Sequence, residues 1–182
     1  MTNTIGTTNL PYQIYPCPAG TYLNLVGKSS VSDCISCPAG KACETLGISV
    51  DPTTLTAYNC AAGFFCLLGA KTPYPYTADP SGNWGPCPAG SYCPAGTSVP
   101  IPCPAGTFSN QARATTVSYC MACPPGYLCP QPSSGGLTAP ASPVAAGYTT
   151  SAGILSDTSC LSANLYCPLG TLDALRCPTG YY

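Results

Sequence analysis

Histidine is absent from this 182-residue chain. Triad and Cys–His chemistries therefore lack their usual base. The acids are few and scattered: Asp33, Asp51, Asp79, Asp157, Asp173 and Glu44. No pair is spaced as a glycosidase dyad or a calcium loop requires. The sequence thus offers no catalytic residue, cofactor site or metal site, and the expectation is a non-enzyme. With five basic residues and a net charge of −1, it lacks the cationic footprint that phosphates need, which argues against nucleic acid. Charged residues make up 6%, against roughly 25% in ordinary domains. Leu, Ile, Val and Phe number 30, under a fifth of the chain, so an oily core of normal size cannot form. No apolar run approaches the ~18 residues that span a bilayer, and direct membrane insertion is not expected. The start, MTNTIGTTNL, has neither a basic segment nor an apolar one and is not a signal peptide. It reads as a processed start or as part of a longer polypeptide. None of the seven Asn lies in an N-x-[ST] sequon.

What is abundant is cysteine (15), proline (22) and glycine (19). That profile marks a disulfide scaffold in an oxidising, extracellular or cell-surface setting. Each bridge contributes on the order of 2–4 kcal/mol by restricting the unfolded chain. Cys17–Cys43 and Cys103–Cys129 share the spacing C-x16-C-x2-C-x5-C, offset by 86 residues. The chain is therefore a tandem array. The tetrad C-P-x-G begins at Cys17, Cys37, Cys87, Cys93, Cys103, Cys123, Cys167 and Cys177, with variants at Cys60 and Cys66. It reads as a type I turn, with Pro second and Gly fourth. Aromatics two residues after the Gly (Tyr22, Phe65, Tyr92, Phe108, Tyr182) read as lids over neighbouring disulfides. The alternative is an exposed aromatic binding stripe. No sustained 3.6-residue period occurs. The expected fold is small, disulfide-rich, irregular β: tandem repeats in an elongated rod of short hairpins with little helix.

The organisation reads as follows. Residues 1–16 form a cysteine-free arm; 17–86 a first module with a long loop at 67–86; 87–102 a short connector. Residues 103–176 form a second module with a Pro/Ser/Thr-rich insertion at 130–159, and 177–182 open a further repeat. The insertion and the Thr-rich arm suit O-linked glycans on Ser/Thr or hydroxyproline; ordinary loop residues are the alternative. The CxxC pairs Cys34/Cys37 and Cys120/Cys123 lie too far apart for zinc knuckles and outside any βαβ pattern. Fifteen cysteines leave at least one without a partner in the chain. Two repeat registers remain open. One runs in six-cysteine modules; the other matches Cys93–Cys103 with Cys167–Cys177. Both pair Cys17 with Cys34 and Cys103 with Cys120, and both leave Cys177 unpaired or intermolecular.

The run CPAGSYCPAGTSVPIPCPAGTFSNQARATTVSYCMACPPGYLC (87–129) resembles the ephrin-receptor-like, growth-factor-receptor-type cysteine-rich repeat, related in style to TNF-receptor modules. The resemblance extends over 17–182, thinly through 44–86 and 130–159. A TNF-receptor-like module pairs its cysteines 1–2, 3–5 and 4–6. Carried over, this implies Cys37–Cys60, Cys43–Cys66, Cys123–Cys160 and Cys129–Cys167, and leaves Cys87 and Cys93 to close a small loop. Such repeats serve as stalks, spacers and assembly modules, including in flagellar hairs (mastigonemes) of protists and algae. The expected function is a structural subunit of an extracellular assembly such as a filament or flagellar-hair-like fibre. Its partners would be other copies, joined head to tail through residues 1–16 and 177–182. The alternative is a ligand-binding or adhesion module of a receptor ectodomain, with loop 67–86 and its Tyr74, Tyr76 and Trp84 as the recognition surface.

Overall fold

Proline and glycine set the local structure. In Pro18-Ala19-Gly20-Thr21, the Thr21 N–H donates to the Pro18 carbonyl at 3.1 Å, and Gly20 has φ +90°. Positive φ at the third turn residue defines type II, where glycine avoids the Cβ penalty. The expected type I turn is thus corrected by one residue in frame: proline opens the turn and glycine is third. Equivalent bonds form at Lys41, Phe64, Ser91, Thr97, Thr107 and Tyr127.

The computed structural model describes residues 16–130, 136–145, 148–149, 158–159, 165–169 and 175–176. The strand leaving each turn pairs antiparallel with the strand that enters the next. β1 (Thr21–Tyr22) pairs with β2 (Ile35–Ser36), β3 (Phe64–Cys66) with β4 (Trp84–Pro86), and β5 (Ser91–Tyr92) with β6 (Ile101–Pro102). β7 (Thr107–Phe108) pairs with β8 (Met121–Ala122), and β9 (Tyr127–Leu128) with β10 (Ser142–Pro143). β11 (Tyr148–Thr149) and β12 (Thr158–Ser159) pair likewise, as do β13 (Leu165–Tyr166) and β14 (Leu175–Arg176). The only helical elements among the described residues are 3-10 turns of three residues, such as Val31–Asp33 and Val117–Tyr119. The chain is a disulfide-rich, irregular β fold.

Each unit opens at the first cysteine of a turn: Cys17, Cys37, Cys60, Cys87, Cys103 and Cys123. The first five units are joined by one repeated set of four backbone bonds, and the sixth joins the fifth through three of them. Between the first two units, Gly20 N–H donates to Cys43 O (2.7 Å) and Cys37 N–H to Gly20 O (2.8 Å). Gly47 N–H donates to Cys17 O and Leu23 N–H to Ile48 O, both at 2.9 Å. The set recurs around Gly40 and Gly69, around Gly63 and Gly96, and around Gly90 and Arg113. Hydrogen bonds of this kind are worth about 1 kcal/mol net each. All these bonds run within a unit or between adjacent units. The architecture is therefore quasi-one-dimensional, an elongated stack.

Every pairing resolved among the described cysteines lies inside one unit. The bonds are Cys17–Cys34, Cys37–Cys43, Cys60–Cys66, Cys87–Cys93, Cys103–Cys120 and Cys123–Cys129. Cys17–Cys34, Cys103–Cys120 and Cys87–Cys93 agree with the sequence reading. The TNF-receptor-like pairings Cys37–Cys60, Cys43–Cys66, Cys123–Cys160 and Cys129–Cys167 are corrected. The reason is the turn: C-x2-G-x2-C folds back so that its two cysteines lie 5.8–5.9 Å apart at Cα, within bridging range. In the first and fifth units the seventh position is Leu23 or Ser109 instead, and the opening cysteine reaches Cys34 or Cys120. Cys167 is also oxidised to a disulfide. Cys160, Cys177 and residues 1–15 of the expected arm lie outside the described residues.

The stretch 130–159, expected to be an insertion, contributes to the ladder where it is described. Val144 N–H donates to Gly126 O at 2.9 Å, the bond that an opening cysteine makes elsewhere, and Val144 is fully buried. Val144 thus stands where the opening cysteine of a unit would, with valine replacing cysteine. The core consists largely of half-cystines with a few small or aromatic residues. Tyr22 covers Cys37, Cys43 and Ile48, as expected of a lid. In the third unit the buried aromatic is Phe64 rather than the anticipated Phe65; it packs with Ala42, Cys60, Cys66 and Ala70.

Candidate binding surface

The third unit carries the enlarged loop 67–86. Its base is fixed by Ala61 N–H donating to Pro73 O (2.9 Å) and Leu67 N–H to Asn83 O (2.6 Å). Asp79 turns the chain. Its carboxylate accepts from the Asn83 backbone and side-chain N–H groups at 3.1 Å each, while its own N–H donates to Trp84 O at 2.8 Å. This tight return delivers Trp84 into β4, where it is half-buried against the Phe64 cluster.

Tyr74 and Tyr76 project outward, 52% and 66% exposed. Both meet the Phe64 ring edge-on, with centroids at 6.0 and 5.1 Å. Arg113, from the fifth unit, lies over Phe64 and Tyr76 at 5.2 and 5.1 Å. Contacts of this kind are worth about 0.5–1 kcal/mol at exposed sites. The outcome is a shallow groove of about 360 Å³ lined by Tyr74, Pro75, Tyr76, Asp79 and Trp84. Of its polar members, Asp79 is engaged by Asn83 and the Thr72 hydroxyl accepts from Tyr74 N–H. Chemically it offers ring faces for stacking, with little charge.

The structure brings together the three residues singled out in this loop, Tyr74, Tyr76 and Trp84. Sequence reading missed Phe64 and Arg113. Arg113 occupies the place held by Gly47, Gly69 and Gly96 in other units. It has φ +63°, and its N–H donates to Cys87 O at 2.7 Å. A left-handed non-glycine residue is uncommon. Aligning Ser109-x3-Arg113 on Cys43-x3-Gly47 is the signal that locates it.

The CxxC pairs are not thiolate pairs. Cys34, Cys37, Cys120 and Cys123 each belong to a different disulfide. Electrostatic features sit at turns. The Asp51 carboxyl is held below its usual range by the Thr53 hydroxyl and backbone N–H, and Asp33 by the Ser30 N–H and Lys28. Lys28 lies 3.3 Å from Asp33. Among the described residues no helix is long and apolar enough to cross a membrane.

Compared with known proteins, the chain matches no family model and no curated sequence. The disulfide content itself points to an oxidising, secreted or surface environment.

Proposed function

We propose that this protein is a non-catalytic structural subunit of an extracellular assembly, a filament or flagellar-hair-like fibre built from cysteine-rich repeats of the ephrin-receptor-like kind. One observation carries the reading: the four-bond set repeats between successive units and uses backbone groups alone. Such an interface extends an array without a specialised core, and a head-to-tail contact of the same type does not close on itself. Near-neutral charge leaves little repulsion between copies. Ser/Thr-rich segments of the sequence suit O-linked sugars. Electron microscopy of native material labelled with an antibody to this chain tests the reading. Labelled fibres with a regular axial repeat are expected; label confined to isolated particles or to membrane patches counts against it.

The exposed Tyr74 and Tyr76 favour a second reading, an adhesion or receptor module that uses the loop of the third unit. Deleting residues 70–84 does not test it cleanly, because Ala70 O and Pro73 O accept ladder and loop hydrogen bonds. Tyr74→Ser with Tyr76→Ser is the better variant. Loss of cell or glycan binding with all disulfides retained supports this second reading; unchanged fibre formation is expected under the first.

A further inference from the structure

The second to fifth units each dock on their predecessor through four backbone groups: the N–H of the opening cysteine, the carbonyl of the seventh residue, the N–H of the left-handed second-turn residue, and the carbonyl that follows. In the second unit these are Cys37, Cys43, Gly47 and Ile48. The first unit carries the same set at Cys17, Leu23, Gly27 and Lys28, with the Leu23-x3-Gly27 spacing equal to Cys43-x3-Gly47. Gly27 is already left-handed at φ +77°, as Gly47 is at +69°. Nothing lies within 4 Å of where its Cβ would be. Among the described residues these four groups make none of the bonds their equivalents make. The neighbouring Leu25 and Val26 are also open, at 55% and 98% exposure.

A conformation that elsewhere accompanies docking is therefore preset where no described unit docks. We infer that this edge of the first unit is an assembly interface, and that its occupant is the Cys177-Pro-Thr-Gly180 turn of a second copy. Three points select that occupant. The edge continues an interface used repeatedly inside the chain. It is a row of backbone donors and acceptors matched in register to one turn type, so an arbitrary peptide does not satisfy all four groups. The segment 177–182 has the sequence of such a turn, Cys-Pro-x-Gly followed by an aromatic pair. In the docked state Gly180 N–H donates to Leu23 O, Cys17 N–H to Gly180 O and Gly27 N–H to Cys177 O. The inference rests on the fibre reading and names its contact.

The full oxidised chain tests it by sedimentation velocity over a concentration series, with amide exchange at Gly27. Wild type is expected to form growing oligomers in which Gly27 N–H exchanges roughly 100-fold more slowly than in the monomer. Gly27→Pro removes the donor and the left-handed conformation. Gly180→Val widens the incoming turn at the position where, inside the chain, Gly20 meets the Gly69 carbonyl. Each is expected to weaken association by about tenfold or more. Unchanged disulfides and Trp84 fluorescence confirm that each variant still folds. Variants that assemble like wild type overturn the named edge while leaving the fibre reading standing. A wild type that stays monomeric at all concentrations overturns both. Slow Gly27 exchange in the monomer, lost on removing residues 1–15, also overturns the inference, because the chain's own arm then fills the edge.

Discussion

Replacing Gly20 by alanine isolates what stacking contributes. Gly20 lies at φ +90°, and a Cβ built there falls 2.6 Å from the Gly69 carbonyl oxygen and 3.0 Å from Lys71 Cγ. The lysine stem can swing away. The carbonyl cannot do so freely, because Gly69 N–H is bonded to Cys37 O at 2.8 Å. The left-handed backbone alone costs a non-glycine residue about 1–2 kcal/mol. Displacing a packed backbone neighbour adds about 1–3 kcal/mol. Gly27→Ala is the matched control. It lies in the same unit, with φ +77° and nothing nearby, so it incurs only the first cost. The two variants should therefore differ by about 1–3 kcal/mol. Urea unfolding of the oxidised protein followed by Trp84, the sole tryptophan, reads the third unit, which Gly20 touches through Gly69. Array cooperativity can break down, so exchange of the Cys37 N–H, bonded to Gly20 O, provides the local measure. Equal destabilisation by the two alanines refutes the stacking contact as a determinant of stability.

Other consequences are independent of that contact. Cleaving the unreduced, unfolded chain before its aspartates should release 51–78 as a free peptide with an internal Cys60–Cys66 bond; mass spectrometry showing it attached to 33–50 contradicts the local pairing. Ser109→Cys combined with Cys120→Ser should redirect Cys103 to the thiol introduced at position 109. The loop entropies, about 2.4 kcal/mol for a separation of 6 against about 3.2 for 17, predict a loss below about 1 kcal/mol in the melting analysis. Asp51 has a folded pKa below its unfolded one, so its contribution is present above the ordinary aspartate range and is lost as pH falls through the lowered folded value. An NMR titration should show the Thr53 amide moving at lower pH than a free aspartate requires, and Asp51→Asn should abolish that movement.

The repeat, the turn tetrads and the reliance on disulfides were legible because they are local. C-P-x-G turns, the absence of a 3.6-residue period and a small apolar supply each act within a few residues. The lid role of Tyr22 was legible for the same reason, since it follows directly from the turn. The four corrected pairings were harder. C-x5-C also fits the borrowed TNF-receptor pattern, and only the frame of the type II turn decides that Cys37 meets Cys43. Ser109 and Val144 were opaque because they occupy cysteine positions without cysteine chemistry. Their roles lie in backbone bonds, to which any side chain of suitable size is admitted. The guanidinium contact beside the groove joins Tyr76 to Arg113 across 37 residues of sequence, a distance no local pattern encodes.

Residue types and their spacing were enough to establish a cross-linked, weakly charged array of turns, because those properties are local and compositional. The folded backbone decided which sulfurs meet, which residues replace glycine and cysteine in the ladder, and which edge is left without a described neighbour. Those outcomes depend on how one unit's N–H and carbonyl groups align with the next. That alignment is set by backbone dihedrals, and side-chain identity constrains it only through glycine, proline and the bridges.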